Sequence, residues 1–302
     1  MTSFSTPVLS GIRILSLALN LPGPAALMRC QQMGAECVKL EPPANSHHSS
    51  SGDPMGSYQP NAYEAMHHGV RLVVADLKSA EGQNILHQEL SKCQVLITSF
   101  RPSALRKLGL DWPTLQQRYP SLNQIAIVGS PGERAEEPGH DLTYMAENDL
   151  VTGLNLPPSL YADMAGSLLT TEAILQVLLA QQKQVSAHQV PTGQYKEIAL
   201  SDAAAYLALP RFWGLTTEGK AVGGGHAGYN VYACLDGRVA IAALEPHFAI
   251  RLLQAAGLEA HALSEIMTPS MYQTISHWVS QQSCSQLENI ARTLDIPLHT
   301  LK

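Results

Sequence analysis

Three short segments hold the acid–base side chains whose setting suits chemistry. Gly139-His140-Asp141 closes a loop rich in Gly, Pro and charge. Tyr161-Ala162-Asp163-Met164-Ala165-Gly166 precedes an apolar helical run, and Glu245-Pro246-His247-Phe248 follows a hairpin pattern. An imidazole and two carboxyls of this kind can move protons, and a carboxylate can also act as a nucleophile. Each has a plainer use as well. Asp163 suits a helix N-cap, His140 a hydrogen-bonded loop residue, and Glu245 the acid before a helix-starting proline. On composition and spacing alone, function stays open. The sequence contains no Walker A, HExxH, GxSxG or GxGxxG motif, which argues against an NTPase, a zincin, the usual serine hydrolase or a classical NAD enzyme.

The elements that must hold these residues read as alternating strands and helices. Strands are predicted at 12–18, 36–40, 71–75, 94–98, 123–128 and 195–200. Helices are predicted at 25–33, 80–90, 102–108 and 112–119, with Gly34 ending the first. That rhythm predicts an α/β fold: a doubly wound, mostly parallel sheet covered by helices on both faces. Pro42–Tyr63 reads as one long loop and Gly129–Pro138 as a second. Long loops in compact domains are often functional. Gly166–Gln182 reads as a helix apolar on more than one face, hence largely buried. Beyond Trp213 the pattern changes to a β-hairpin over Val231–Ala243, turning at Asp236-Gly237, and then three helical stretches. A large domain over 1–210 and a smaller α+β domain over 211–302 are expected.

The 302 residues are enough for two domains at roughly 100–200 residues each. Hydrophobic residues make up 45% and charged ones 15%, which excludes a largely disordered chain. The net charge is −6, with no run of Lys or Arg, so neither nucleic acid nor an anionic membrane surface is an expected partner. The N-terminus does not read as a signal peptide, and no uninterrupted apolar run of about 18 residues occurs. The cysteines, at 30, 37, 93, 234 and 284, are odd in number and lack CxxC spacing. They predict reduced thiols and a cytoplasmic location, and argue against a disulfide framework or a Cys-based zinc site. No metal site is expected.

The order of the segments resembles the family III CoA-transferases, and within them the alpha-methylacyl-CoA racemase branch. The carrying blocks are LSGIRILSLALNLPGPAALMRCQQMGAECVKLEPP at the start, RLVVADLKSAEG and FRPSALRKLGLDWP. PGHDLTYMA, LYADMAGSLL and TGQYKEIALSDAA follow, and then YNVYACLDGRVAIAALEPHF, which together span roughly residues 8–255. The resemblance implies action on acyl-CoA thioesters, with coenzyme A as part of the substrate and no other cofactor required. It implies that Asp163 is a nucleophile in transferases and an acid/base in racemases, working with His140, which Glu245 partners. His140 and Asp163 then flank the α-carbon, and one removes the proton that the other replaces from the far face. The EPxF block favours the racemase branch. A CoA-transferase using Asp163 as nucleophile is the alternative.

The sequence departs from the family where phosphates are held. The family's Asn-Arg-Gly-Lys-Arg before the third strand is here His67-His68-Gly69-Val70-Arg71. Lys39, Arg71, Arg101 and Arg106 remain as candidate phosphate contacts. That loss admits an acyl-pantetheine group on a carrier protein as the substrate, or a non-catalytic relative kept for binding. The resemblance also implies a homodimer. The family's interlocked form uses a returning C-terminus, and this sequence stops at 295–302, where that return would begin.

Overall fold

The computed structural model describes residues 6–44 and 51–302. It divides into two compact units, Met1–Ala208 and Leu209–Lys302. In the first, six strands form one sheet: β1 (Arg13–Ser16), β2 (Glu36–Glu41), β3 (Arg71–Val74), β4 (Val95–Thr98), β5 (Asn123–Val128) and β6 (Tyr195–Ala199). Their order is β3-β2-β1-β4-β5-β6, and every pairing is parallel. The strand order reverses between β1 and β4. In doubly wound sheets the carboxyl ends of the strands at such a point form a crevice where ligands bind.

Both faces of this sheet are covered, and the sequence shows why. Alternate residues of a strand point to opposite faces, and here both sets are apolar. Ile14, Cys37, Val95, Ile97 and Ile125 face one cluster with Leu27, Ile174 and Val177, from helices Pro22–Gln32 and Tyr161–Ser186. Leu15, Val38, Leu40 and Leu96 face the other. There they meet Leu86, Leu105 and Leu115 from helices Ala80–Leu90, Pro102–Leu108 and Trp112–Arg118. Gly34, at φ 94°, ends the first helix in a conformation that a side chain would strain.

In the second unit β7 (Tyr229–Cys234), β8 (Gly237–Ala242) and β9 (Leu298–Leu301) form an antiparallel sheet in that order. The hairpin turn is Leu235-Asp236, one residue earlier than expected. Helices Pro246–Ala255, Pro269–Ser280 and Cys284–Leu294 supply Leu252, Leu253, Ile275, Val279 and Leu287 to a core with Tyr232, Val239 and Ile241.

Three expectations need correction. The Pro42–Tyr63 loop carries helix Pro54–Tyr58, and a second helix, Pro60–His67, begins within it. Both prolines sit at the first helical position, where the missing N–H costs nothing. Residues 45–50 of that loop, and the first five of the chain, lie outside the described residues. The long apolar helix starts at Tyr161 rather than Gly166 and runs to Ser186. By length and composition it could cross a membrane, yet it packs on the sheet through small and polar residues such as Ala173, Thr170 and Ser167. Leu168, Leu179 and Val185 on its other side are each more than half exposed, so it is half-buried rather than largely buried. Finally, β9 and the helices Asp141–Glu147 and Leu200–Phe212 were not anticipated.

One buried polar residue ties this architecture together. Asn123, fully buried, donates to Gln181 Oε1 (2.8 Å) and to the Gln94 carbonyl (3.0 Å), and accepts from the Gln194 amide (3.0 Å). It thereby joins the starts of β4, β5 and β6 to the long helix. Asn123→Leu should leave the Gln194 amide and Gln181 Oε1 without their Asn123 partner at a cost of roughly 2–4 kcal/mol, since each buried unsatisfied group costs about 1–3 kcal/mol. Chemical denaturation should show the loss; an unchanged midpoint would mean that water replaces the amide.

Candidate active site

A cleft of about 610 Å³ opens at the carboxyl ends of β1, β4 and β5, at the switch point. Its walls come from the turn Leu19–Pro22 after β1, Ser99–Arg101 after β4, Val128-Gly129 after β5, and Glu137–Leu142. His140 and Asp163 both line it, as do Asp141, Tyr58 and Tyr144.

His140 is the N-cap of helix Asp141–Glu147, and its side chain is exposed. Its backbone is fixed by Thr143. The His140 amide donates to Thr143 Oγ1 (3.0 Å), and that hydroxyl donates to the His140 carbonyl (2.7 Å). Gly139 is glycine for steric reasons, since a Cβ there would lie 2.6 Å from the Tyr144 ring. Close packing of Tyr144 beneath the loop thus sets where His140 emerges.

Asp163 is not the N-cap of its helix. Leu160 holds that position and makes no side-chain capping bond. Asp141 caps the helix from outside instead: its Oδ1 accepts the Asp163 amide at 3.0 Å. Asp141 is 5% exposed. Two carboxyl groups therefore share one corner of the cleft. Burial, and then the Asp141 charge, raise Asp163 from 3.8 to about 7. Near neutral pH its carboxyl exists in both protonation states. Asp141 is the functional residue that sequence reading passed over, although it stands next to His140 in the Gly-His-Asp triplet.

The four expected phosphate contacts separate. Arg101 caps the Pro102–Leu108 helix, lines the cleft, is exposed, and makes no ion pair among the described residues. Arg106 lies further along that helix, 3.7 Å from Glu136, and does not line the cleft. Arg71 opens β3, at the amino-terminal end of the sheet away from the cleft, and pairs with Glu89, which also binds Arg13 at 2.9 Å. It does not line the cleft.

Lys39 does not line the cleft either. Its side chain is fully buried, ion-paired with the equally buried Asp53, 3.0 Å from His67 Nε2 and over the Tyr63 ring. Asp53 in turn caps helix Pro54–Tyr58 and accepts the Asn20 amide at 3.1 and 3.2 Å. Asn20 stands on the cleft rim at φ 65°. Lys39 thus neutralises a carboxylate that shapes the rim. Glu245 belongs to the second unit, as the exposed N-cap of helix Pro246–Ala255, with no side-chain capping bond.

Residues 9–302 match CoA-transferase family III over nearly the whole chain. The chain belongs to that family. Among its relatives is a cinnamoyl-CoA:phenyllactate CoA-transferase of Clostridium sporogenes, 32% identical over 180 residues, 55% of this chain and 44% of that enzyme. Another is the alpha-methylacyl-CoA racemase of Mus musculus, 27% identical over 273 residues, 86% of this chain and 68% of that one. A crystal structure of a CAIB/BAIF family protein from Brucella suis superposes with a TM-score of 0.77 at 20% identity, covering 99% of this chain and 85% of its own. The fold is the same. The chain spans less than half the length of the Clostridium sporogenes relative, and both racemases and CoA-transferases stand among the relatives.

The weakened acidity of Asp163 has a consequence for stability. Ionising this carboxyl costs the folded chain more than the unfolded one. The penalty is absent below about pH 4, grows between about 4 and 7, and is constant above. Asp163→Asn should therefore stabilise the protein at pH 8 by roughly 2–4 kcal/mol, with the gain vanishing near pH 4. Denaturation across that range would expose an error if the gain did not change with pH.

Proposed function

We propose that the protein is an acyl-CoA racemase or epimerase, moving a proton at the α-carbon of a 2-methylacyl thioester. The observation that carries this reading is a carboxyl raised to about 7 in the same cleft as an exposed histidine. A two-base exchange needs one group protonated while the other is not, and environments that separate the groups supply this.

The thioester carbonyl acidifies the neighbouring C–H. Neutral His140 removes the proton from one face and gives an enolate. Protonated Asp163 returns a proton to the opposite face and is left ionised; in the reverse direction the two exchange roles. Burial of Asp163, and then the neighbouring Asp141 carboxylate, make its ionisation unfavourable and so keep the proton available. The amino-terminal turn of helix Tyr161–Ser186 reaches the cleft at Leu160 and Asp163, and its dipole favours the developing enolate charge. That turn begins five residues before the start expected from the sequence. Arg101 is the cleft cation that can meet a phosphate of coenzyme A. The proposed reaction uses side chains alone.

The alternative reading is a CoA-transferase, in which ionised Asp163 attacks the thioester and forms an anhydride. The Clostridium sporogenes relative supports keeping it.

Incubation with one enantiomer of a 2-methylacyl-CoA in heavy water separates the two. The expected result is α-deuteration with loss of optical purity, reduced on the order of 10²–10⁴-fold in His140→Ala and in Asp163→Asn, the range for acid–base groups. Hydroxylamine trapping on the peptide containing Asp163, with CoA passing to an acceptor acid and no α-deuteration, would contradict it.

A further inference from the structure

The second unit carries a chemical cluster remote in sequence from the Gly-His-Asp and Asp163 segments. Cys234 ends β7, and Cys284 is the first residue of helix Cys284–Leu294. Their sulfurs are 3.6 Å apart, in van der Waals contact. Asp236, in the hairpin turn, accepts the Cys284 amide at 2.7 Å and lies 4.0 Å from Cys234 Sγ. Cys284 is buried and Cys234 half-buried.

The other three cysteines differ. Cys30 and Cys37 are buried, and burial pushes their thiols up to about 12, as it does for half-buried Cys93. Cys37 Sγ bonds the Leu27 carbonyl, and Cys93 Sγ the Glu89 carbonyl. Among the described residues, only Cys234 and Cys284 meet in a sulfur–sulfur hydrogen-bond contact within this cluster.

We infer that Cys234 and Cys284 form a site of reversible oxidation, closing to a disulfide when the protein meets a hydroperoxide. Disulfide sulfurs lie about 2.05 Å apart, so closure needs a further approach of roughly 1.5 Å. Half-buried Cys234 is the sulfur that a small oxidant reaches. Its thiol loses a proton and attacks the peroxide oxygen. The O–O bond breaks, and Cys234 becomes a sulfenic acid as an alcohol or water leaves. Cys284 sulfur then attacks Cys234 sulfur. The S–S bond forms, the S–O bond breaks, and the Cys284 proton leaves with the hydroxyl as water. Two thiols lose two electrons in all, and the peroxide gains them.

The surroundings favour this outcome over metal binding. Burial, then the Asp236 carboxylate and the Cys234 sulfur, push the Cys284 thiol up to about 11. A divalent cation bound by both sulfurs and Asp236 needs two thiolates beside a carboxylate, whereas the disulfide adds no charge. A high thiol pKa also makes Cys284 a poor leaving group, which resists casual reduction. Once closed, the bond encloses β8, helices Pro246–Ala255 and Pro269–Ser280, and the segments joining them. Such a long loop gives a cross-link its greatest leverage on the unfolded chain.

The experiment uses the full, reduced chain treated with hydrogen peroxide, then alkylated, digested without reductant and analysed by mass. The expected result is one cross-linked peptide pair joining Cys234 to Cys284, two hydrogens lighter than the thiol pair. Dithiothreitol should reverse it, and it should be absent in Cys234→Ser and in Cys284→Ser. Asp236→Asn should form it severalfold faster, because a negative charge no longer opposes thiolate formation. The thermal midpoint should rise on oxidation in the wild type and not in either serine variant. Cys234 carried to sulfinic acid without a cross-link, or joined to a second chain, would overturn the inference. So would stoichiometric Zn²⁺ binding that protects both cysteines of the reduced chain from alkylation.

Discussion

The site depends on one arrangement: a buried Asp141 carboxylate accepting the amide of Asp163. That bond does two things at once. It caps a long helix whose own N-cap residue offers no side-chain bond, and it sets a negative charge beside a cleft carboxyl whose pKa is raised to about 7, first by burial and then by that charge. Because Asp141 directly follows His140, the residue beside the acid is also the first residue of the helix that His140 caps. Moving either helix would alter the acid, the imidazole or both. Stability is given up for this. A carboxyl that resists ionisation weakens the fold at neutral pH, a common cost of a tuned site.

A second buried arrangement shapes the rim. Lys39 and Asp53 are both fully buried and neutralise each other. Replacing one partner of such a pair leaves an uncompensated charge, which typically costs about 3–5 kcal/mol. Here the pair has local work. Asp53 holds the Asn20 amide and starts the helix that carries Tyr58 to the cleft. The Pro42–Tyr63 segment thereby becomes part of the site, and Lys39 is not free to meet a substrate phosphate. Among the four candidate cations, only Arg101 lines the cleft.

The sheet was legible because its strands are short apolar runs with both faces filled, and helix-forming stretches separate them. Ile14 and Leu15, or Leu96 and Ile97, are adjacent residues serving opposite clusters. The helices at Pro54 and Pro60 were hidden because the segment around them is rich in Ser, Pro, Asn and Gly and reads as loop, although proline at a first helical position is compatible with the turn. β9 (LHTL) is short, follows a proline and gains its identity only by pairing with β8. His140 and Asp163, which line one cleft, were legible as a pair of residue types, and family resemblance supplied the roles proposed for them. The tuning of Asp163 was not, since it comes from burial in the folded chain and then from a contact between residues 22 positions apart. Likewise Lys39 and Arg71 are cations in sequence, and only packing shows that each already has a carboxylate.

The proposed proton exchange requires Asp163 to hold a proton near neutral pH because of burial and Asp141. Carbon-13 labelling of the aspartate carboxyls, followed by NMR across pH 3 to 9, measures this directly. The resonance assigned to Asp163 should titrate near 7. In Asp141→Asn, where an amide oxygen can still accept the Asp163 N–H, it should move toward the ordinary carboxylate range of about 4. An Asp163 that already titrates near 4 in the wild-type protein would contradict the account.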